Sequence, residues 1–173
     1  LDEATRDNAA LSRRLRDLEG RVERAEKAAE EEAELNGPIT ANSPTGDAAQ
    51  DLTAALRLLG TDGARGQRAL ETVIVTWPNT PQSREANSRL GDLHVAARDN
   101  AAAVPAYAAA LNGWPRTPWA PETTLKLAEA LRATDRATQA CGALNEFTRR
   151  YADTATAAQK TRATQLRTRA SCS

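Results

Sequence analysis

Trp77-Pro78-Asn79-Thr80-Pro81 and Trp114-Pro115-Arg116-Thr117-Pro118 are one phrase written twice, 37 residues apart. A weakened third copy, Tyr151-Ala152-Asp153-Thr154-Ala155, follows at the same step. An aromatic-Pro step ends a helix, because proline lacks a backbone N–H and restricts the residue before it. A helix-ending phrase that recurs at a fixed period marks an array of helical repeats. Other columns keep the same step: Leu56 with Leu93, Ala54 with Gly91 and Ala128, Gly66 with Ala103 and Ala140, Leu70 with Tyr107 and Leu144, and Leu90 with Leu127.

Each unit reads as helix–turn–helix–turn. First helices are expected at roughly 48–59, 84–97 and 120–133, and second helices at roughly 63–76, 100–112 and 136–150. The small residues Ala54, Gly91 and Ala128 stand twelve positions before Gly66, Ala103 and Ala140, which lets paired helices approach closely. The large apolar group of each pair follows four residues later. A stretch at roughly 155–170 aligns with a fourth first helix, with polar Thr164 and Gln165 at its interior positions. That is the pattern of a solubilising end cap.

Composition agrees. The 173 residues include 37 alanines, 40% hydrophobic residues and only 3% aromatics. Alanine is the strongest helix former, and β-branched and aromatic residues are sparse, so the fold class expected is all-α. Lys+Arg and Asp+Glu are both 23, so no net charge drives binding to nucleic acid or anionic lipid. No run approaches 18 apolar residues, so no membrane span is expected. The chain starts at Leu1 and has no Met, which reads as a processed or trimmed chain with any signal peptide out of view.

Ahead of the repeats, residues 1–35 carry a heptad. Position a holds Leu1, Asn8, Leu15, Val22 and Ala29; position d holds Ala4, Leu11, Leu18, Ala25 and Glu32. Arg14 at g precedes Glu19 at e, and Arg21 precedes Glu26, a spacing that pairs g and e of parallel neighbours. The seam expected to drive self-association is Leu11, Leu15, Leu18 and Val22. Both Arg14–Glu19 and Arg21–Glu26 read Arg-apolar-x-x-apolar-Glu, a signature of parallel three-stranded coils, whereas Asn8 at a favours two strands. A trimer is favoured and a dimer stays open; a single amphipathic helix lying on its own domain is the plain alternative. The seam fades in the acidic run Glu30–Glu34, where the coil is expected to fray, and residues 36–47, with two Pro and two Gly, read as a flexible linker.

Catalytic and metal constellations are missing from the pattern. His94 is the lone His, with no Ser or Cys partner in sequence, and reads as a core or half-buried residue. Two Cys and one His do not supply four zinc ligands. Gly60, Gly63 and Gly66 lack the following Gly-Lys-Ser/Thr of a phosphate loop and read as turn residues. Trp77 and Trp114 share a repeat column, so they read as packing residues at the ends of second helices, not as a base-stacking pair. Pro105 falls inside a second helix, where it removes one hydrogen bond and should kink it. No catalytic residue, metal ligand or cofactor is expected.

The repeat spacing resembles the tetratricopeptide repeat, with the extra residues in the turn between units. The aromatic-Pro-x-Thr-Pro turn, preceded by a linker and a short coiled coil, is similar to the Tol-Pal-associated periplasmic cell division coordinators (the CpoB/YbgF type). The resemblance implies a periplasmic protein that self-associates through its coil and binds the Tol machinery, notably TolA. It further implies coordination of outer-membrane constriction with septal peptidoglycan synthesis, with a septal synthase as a further partner. Other readings are a different envelope repeat adaptor, such as an outer-membrane assembly factor, and a purely structural spacer. An enzyme is disfavoured for want of any catalytic set.

Within that resemblance, an oxidising periplasm would let Cys141, on the last second helix, bridge to Cys172, at the end of the helix packing against it. Such a bridge closes a loop of about 30 residues and stabilises by roughly 3 kcal/mol. The alternative is a buried, apolar Cys141 and a frayed Cys172. Arrays of this type line a concave groove with their first helices. Helical spacing places Glu85, Ser88 and Asp92, then Glu122, Leu125, Glu129 and Arg132, on that face, a mildly acidic surface complementary to a basic peptide or helix. The basic end, with Arg149, Arg150, Lys160, Arg162, Arg167 and Arg169, is the second candidate contact.

Overall fold

The computed structural model describes residues Asp2–Cys172. Leu1, assigned to the first a position of the heptad, lies outside the described residues. Among the described residues there are eight helices and no strand, so the fold is all-α. They are α1 (Asp2–Asn36), α2 (Ala48–Leu59), α3 (Gly63–Thr76), α4 (Pro81–Ala96), α5 (Asn100–Ala110), α6 (Ala120–Ala133), α7 (Ala137–Tyr151) and α8 (Ala157–Arg169). The chain divides into two units, one ending at Pro38 and one beginning at Ile39.

The first unit is the single helix α1, which buries no residue. Leu11, Leu15, Leu18 and Val22 are 52–60% exposed, so its apolar stripe is uncovered. The helix does not break at the acidic run; it continues through Glu30–Glu34 to Asn36.

In the second unit, α2 pairs with α3, α4 with α5 and α6 with α7, while α3 packs on α4, α5 on α6, and α8 on α6 and α7. Short polar side chains start most of these helices. Asp47, Asp62, Thr80, Asp99 and Thr156 each accept the N–H three residues on, satisfying a donor that the helix itself leaves free. Pro81 is at the start of α4, where its missing N–H costs nothing, so α4 begins three residues before the expected 84. Pro105 sits on the exposed side of α5, the shortest of these helices at 11 residues.

The turn inside the second and third hairpins follows one design. Arg98 (φ 62°) and Asp135 (φ 58°), 37 residues apart, adopt the left-handed conformation, and the next N–H reaches back five residues: Asp99 to His94 O and Arg136 to Leu131 O. The first hairpin lacks this. Asp62 N–H instead bonds Leu58 O, four residues back, and no residue of its turn has positive φ. The altered turn rotates α2 by one position, so Ala55 is buried where the repeat predicted Ala54, which is exposed. It also brings the Leu59 backbone against Gly66: a Cβ there would meet Leu59 N at 2.4 Å.

Two buried clusters run through the array. Leu52, Ala55, Leu70, Val73, Ala86 and Leu90 form one, and the other extends from Ala103 on α5 to Ala170 after α8. Leu70, Tyr107 and Leu144, the expected large column, are all within 1% of full burial. α8 buries Ala163 and Leu166 and exposes Thr164, in the column of the buried Leu90 and Leu127, and Gln165, in the column of the buried Gly91 and Ala128. It has the polar outer face of a cap.

Gly91 and Tyr107 are a matched pair. A Cβ on Gly91 would stand 2.4 Å from the Tyr107 ring, whereas the third hairpin holds Ala128 and the smaller Leu144 in the same columns. We therefore expect Gly91→Ala to cost about 1–3 kcal/mol by overpacking. Adding Tyr107→Leu should recover most of it. Thermal or urea unfolding of both variants and the double variant measures the coupling; additive losses would contradict the pairing.

Candidate functional site on the first helices

The residues placed by sequence on one groove face separate into three groups. Glu85, Asp92, Glu122 and Glu129 lie on the surface of α4 and α6, but each already has a cation. Arg89 pairs with Glu85 at 3.3 Å one turn along α4. Asp92 accepts from Lys126 Nζ at 2.7 Å and from the Tyr107 hydroxyl at 2.8 Å. The Arg162 guanidinium of α8 spans Glu129, with Nε at 3.2 Å, and Glu122, which also accepts from Gln159 Nε2 at 3.3 Å. Asp92, Glu122 and Glu129 thus join α4 to α6 and α6 to α8. Burial, then the Asp92 carboxylate, pushes the Tyr107 phenol well above its ordinary value. Hydrogen bonding to Glu129 holds Arg162 in its charged form.

Ser88 and Leu125 form the second group, and here the expected placement is corrected. Leu125 is fully buried, and Ser88 is buried with its Oγ 2.7 Å from Thr123 Oγ1. Neither faces a groove. Helical spacing put them too far round: Ser88 turns toward Thr123 of α6, and Leu125 turns into the second buried cluster. Arg132, the third group, is exposed beside a hollow that Asp92, Lys126 and Glu129 also line.

An apolar groove of about 640 Å³ crosses α2, α4 and the residues before α6. Leu52, Leu56, Pro81, Pro118 and Trp119 line it, with Glu85 among its polar lining residues. The repeat columns did not single out Leu52 or Trp119. Trp119 follows the second Trp-Pro-x-Thr-Pro phrase and occupies the position before α6, so α6 starts at Ala120 without a side-chain cap.

Asp51 was also missed. It stands in one column with Ser88 and Leu125 at the 37-residue step, and all three are buried. Its carboxylate accepts from Ser43 Oγ, from Thr45 N and Oγ1, and from Trp77 Nε1 at 3.0 Å. Asn42 N and O also bond Thr76 Oγ1, at 2.9 and 3.0 Å. Residues 42–47, read as part of the linker, are therefore tied to the first hairpin, because Asp51 needs partners that its own helix lacks. An acidic residue among buried columns, followed by an indole at the hairpin's end, was the available signal. Burial pushes the Asp51 carboxyl up, and the hydrogen bonds from Ser43, Thr45 and Trp77 outweigh it, leaving it below its ordinary value.

The basic end is also largely committed. Arg149 and Arg150 pair with Glu146, and Arg167 donates to Leu144 O at 3.2 Å and Asn145 Oδ1 at 2.7 Å. Trp77 and Trp114 are both half-buried, and Trp114 packs against the second cluster. Tyr151, third in their column, donates to Pro115 O at 3.0 Å. Cys141 and Cys172 stand at disulfide distance, Sγ–Sγ 1.98 Å with Cα atoms 5.5 Å apart. Among the described residues no helix is long and apolar enough to cross a membrane. No protein-family model matches the sequence, and no curated protein matches it.

Because the folded Asp51 carboxyl ionises below its ordinary value of 3.8, its contribution is complete above that pH and is lost as pH falls through the lower folded value. Asp51→Asn should lower stability at neutral pH by about 1–3 kcal/mol, since four donors lose a charged acceptor. It should also flatten the acid limb of stability against pH. Denaturant unfolding between pH 2 and 7 reads both, and an unchanged acid limb would contradict the assignment.

Proposed function

We propose that the chain is a periplasmic, non-enzymatic scaffold of the Tol-Pal-associated division coordinator type. It binds a TolA-like Tol component, and through it couples outer-membrane constriction to septal peptidoglycan synthesis. The observation that carries the reading is the coexistence of two surfaces in one chain. One is the α1 stripe of Leu11, Leu15, Leu18 and Val22, which nothing in its unit covers. The other is a stack of three hairpins with an apolar groove across its first helices.

The stripe is matched by self-association in parallel, with Arg14 and Arg21 facing Glu19 and Glu26 of neighbouring copies. Three copies are favoured by the repeated Arg-apolar-x-x-apolar-Glu pattern. The groove suits an apolar segment of a partner, with Glu85 and the exposed Arg89 as polar contacts in its lining. The acidic column does not need a basic partner, since Lys126 and Arg162 already neutralise most of it. Its carboxylates serve the fold first.

Leu15→Ser with Leu18→Ser should convert the oligomer to a monomer of 18.5 kDa in analytical ultracentrifugation. The far-ultraviolet helix signal of α1 should fall with it, because a lone helix this polar is marginal in water. A wild-type chain that sediments as a monomer would remove the coil.

Affinity capture from solubilised envelope tests the function. The wild-type chain is expected to retain Tol components or septal synthases, and a Leu56→Glu, Arg89→Glu bait, altered in the groove lining, to lose them. Capture of neither by the wild type would overturn the coordinator reading and leave the bare repeat scaffold.

A further inference from the structure

α8 is held to α6 and α7 by three kinds of contact. The apolar part is small: Ala163 and Leu166 on α8, with Ala170 after it. The polar part is Arg162 across Glu122 and Glu129, with Gln159 and Arg167 beside it. About a third of each of these charged side chains is exposed, so water screens the pairs and they add little. The third contact is the covalent tie between Cys172, just beyond α8, and Cys141 on α7, 31 residues apart in sequence. By loop entropy that tie adds a contribution comparable with the apolar contacts to holding α8 in place.

Two further observations bear on it. Both cysteines are half-buried, within reach of a small reductant or a redox protein. The segment joining α7 to α8 is exposed at Ala152, Asp153 and Thr154 and buried at Ala155, so any swing of α8 would turn on Ala155.

We propose that the Cys141–Cys172 bridge is a latch on α8. Closed, it keeps the α6–α7 face occupied by the chain's own helix. Opened by a dithiol, it clears that face for a partner helix of the same chemistry. α8 itself defines that chemistry: a guanidinium, then small or aliphatic groups one, four and eight positions later, as in Arg162, Ala163, Leu166 and Ala170. The thiolate of the dithiol attacks one sulfur, a mixed disulfide forms, and its second thiol resolves it. Cys141 and Cys172 gain two electrons and two protons, and the dithiol becomes its own disulfide. The freed face presents Glu122 and Glu129 beside the cluster holding Leu144 and Phe147.

Hydrogen exchange on the full chain, with and without dithiothreitol, tests the latch. Reduction should lower protection of residues 157–169 by roughly two orders of magnitude while α6 and α7 keep theirs. A fluorescein-labelled peptide of residues 156–171 should then bind saturably to the reduced chain and to Cys172→Ser, but not to the oxidised chain. Glu122→Gln with Glu129→Gln, placed in Cys172→Ser, should weaken that binding at least tenfold. Unchanged protection of α8 after full reduction would overturn the proposal. So would equal peptide binding to the oxidised chain, or two free thiols in the native unreduced protein. The dithiothreitol arm on the wild-type chain decides the matter even if a cysteine variant misfolds.

Discussion

The close approach of each second helix to its first is the constraint on which the array rests. It is met at small residues, and the margin is narrow: Gly66 touches the Leu59 backbone and Gly91 touches the Tyr107 ring. A Cβ at either place has nowhere to go. The neighbouring columns adjust to this. Tyr107 fills its hairpin and hydrogen-bonds Asp92, and its ring takes the space that Ala128 has beside Leu144 in the next hairpin. The third hairpin divides the same space differently, with one methyl more at Ala128 and a smaller group at Leu144.

Charge is arranged along the stack in the same serial way. Asp92 reaches forward to Lys126, and Glu122 and Glu129 reach forward to Arg162. Asp92, Glu122 and Glu129 each find a cation on the helix that follows in the stack, whereas Glu85 pairs with Arg89 on its own helix. This arrangement ties successive units without buried charge, at sites where partial exposure keeps desolvation small. At the other end of the array no first helix precedes α2, and Asp51 is satisfied by the incoming chain and Trp77.

The period was legible because it is written in residues whose chemistry is strong. Pro, Trp and the small columns placed α2, α3 and α6 at their observed bounds, and Thr164 and Gln165 marked α8 as a cap. What was not legible depended on rotation about a helix axis. Ser88 and Leu125 sit one position round from Asp92 and Glu129, and no spacing rule distinguishes facing solvent from facing the next helix. The shift from Ala54 to Ala55 arises from a turn whose backbone differs while its length does not. Pairing of the groove carboxylates was hidden for another reason: Arg162 and Glu122 are 40 residues apart, and only the stack brings them together.

The unequal turns have an evolutionary consequence. Hairpins two and three share the Arg98 and Asp135 geometry and the forward-reaching acids, so a copied segment of that length would find matching neighbours on both sides. The first hairpin, with its rotated α2 and its tether at Asp51, fits only at the leading edge, and α8 fits only at the trailing edge. An array built this way lengthens by duplication in its interior, and its two ends stay as they are.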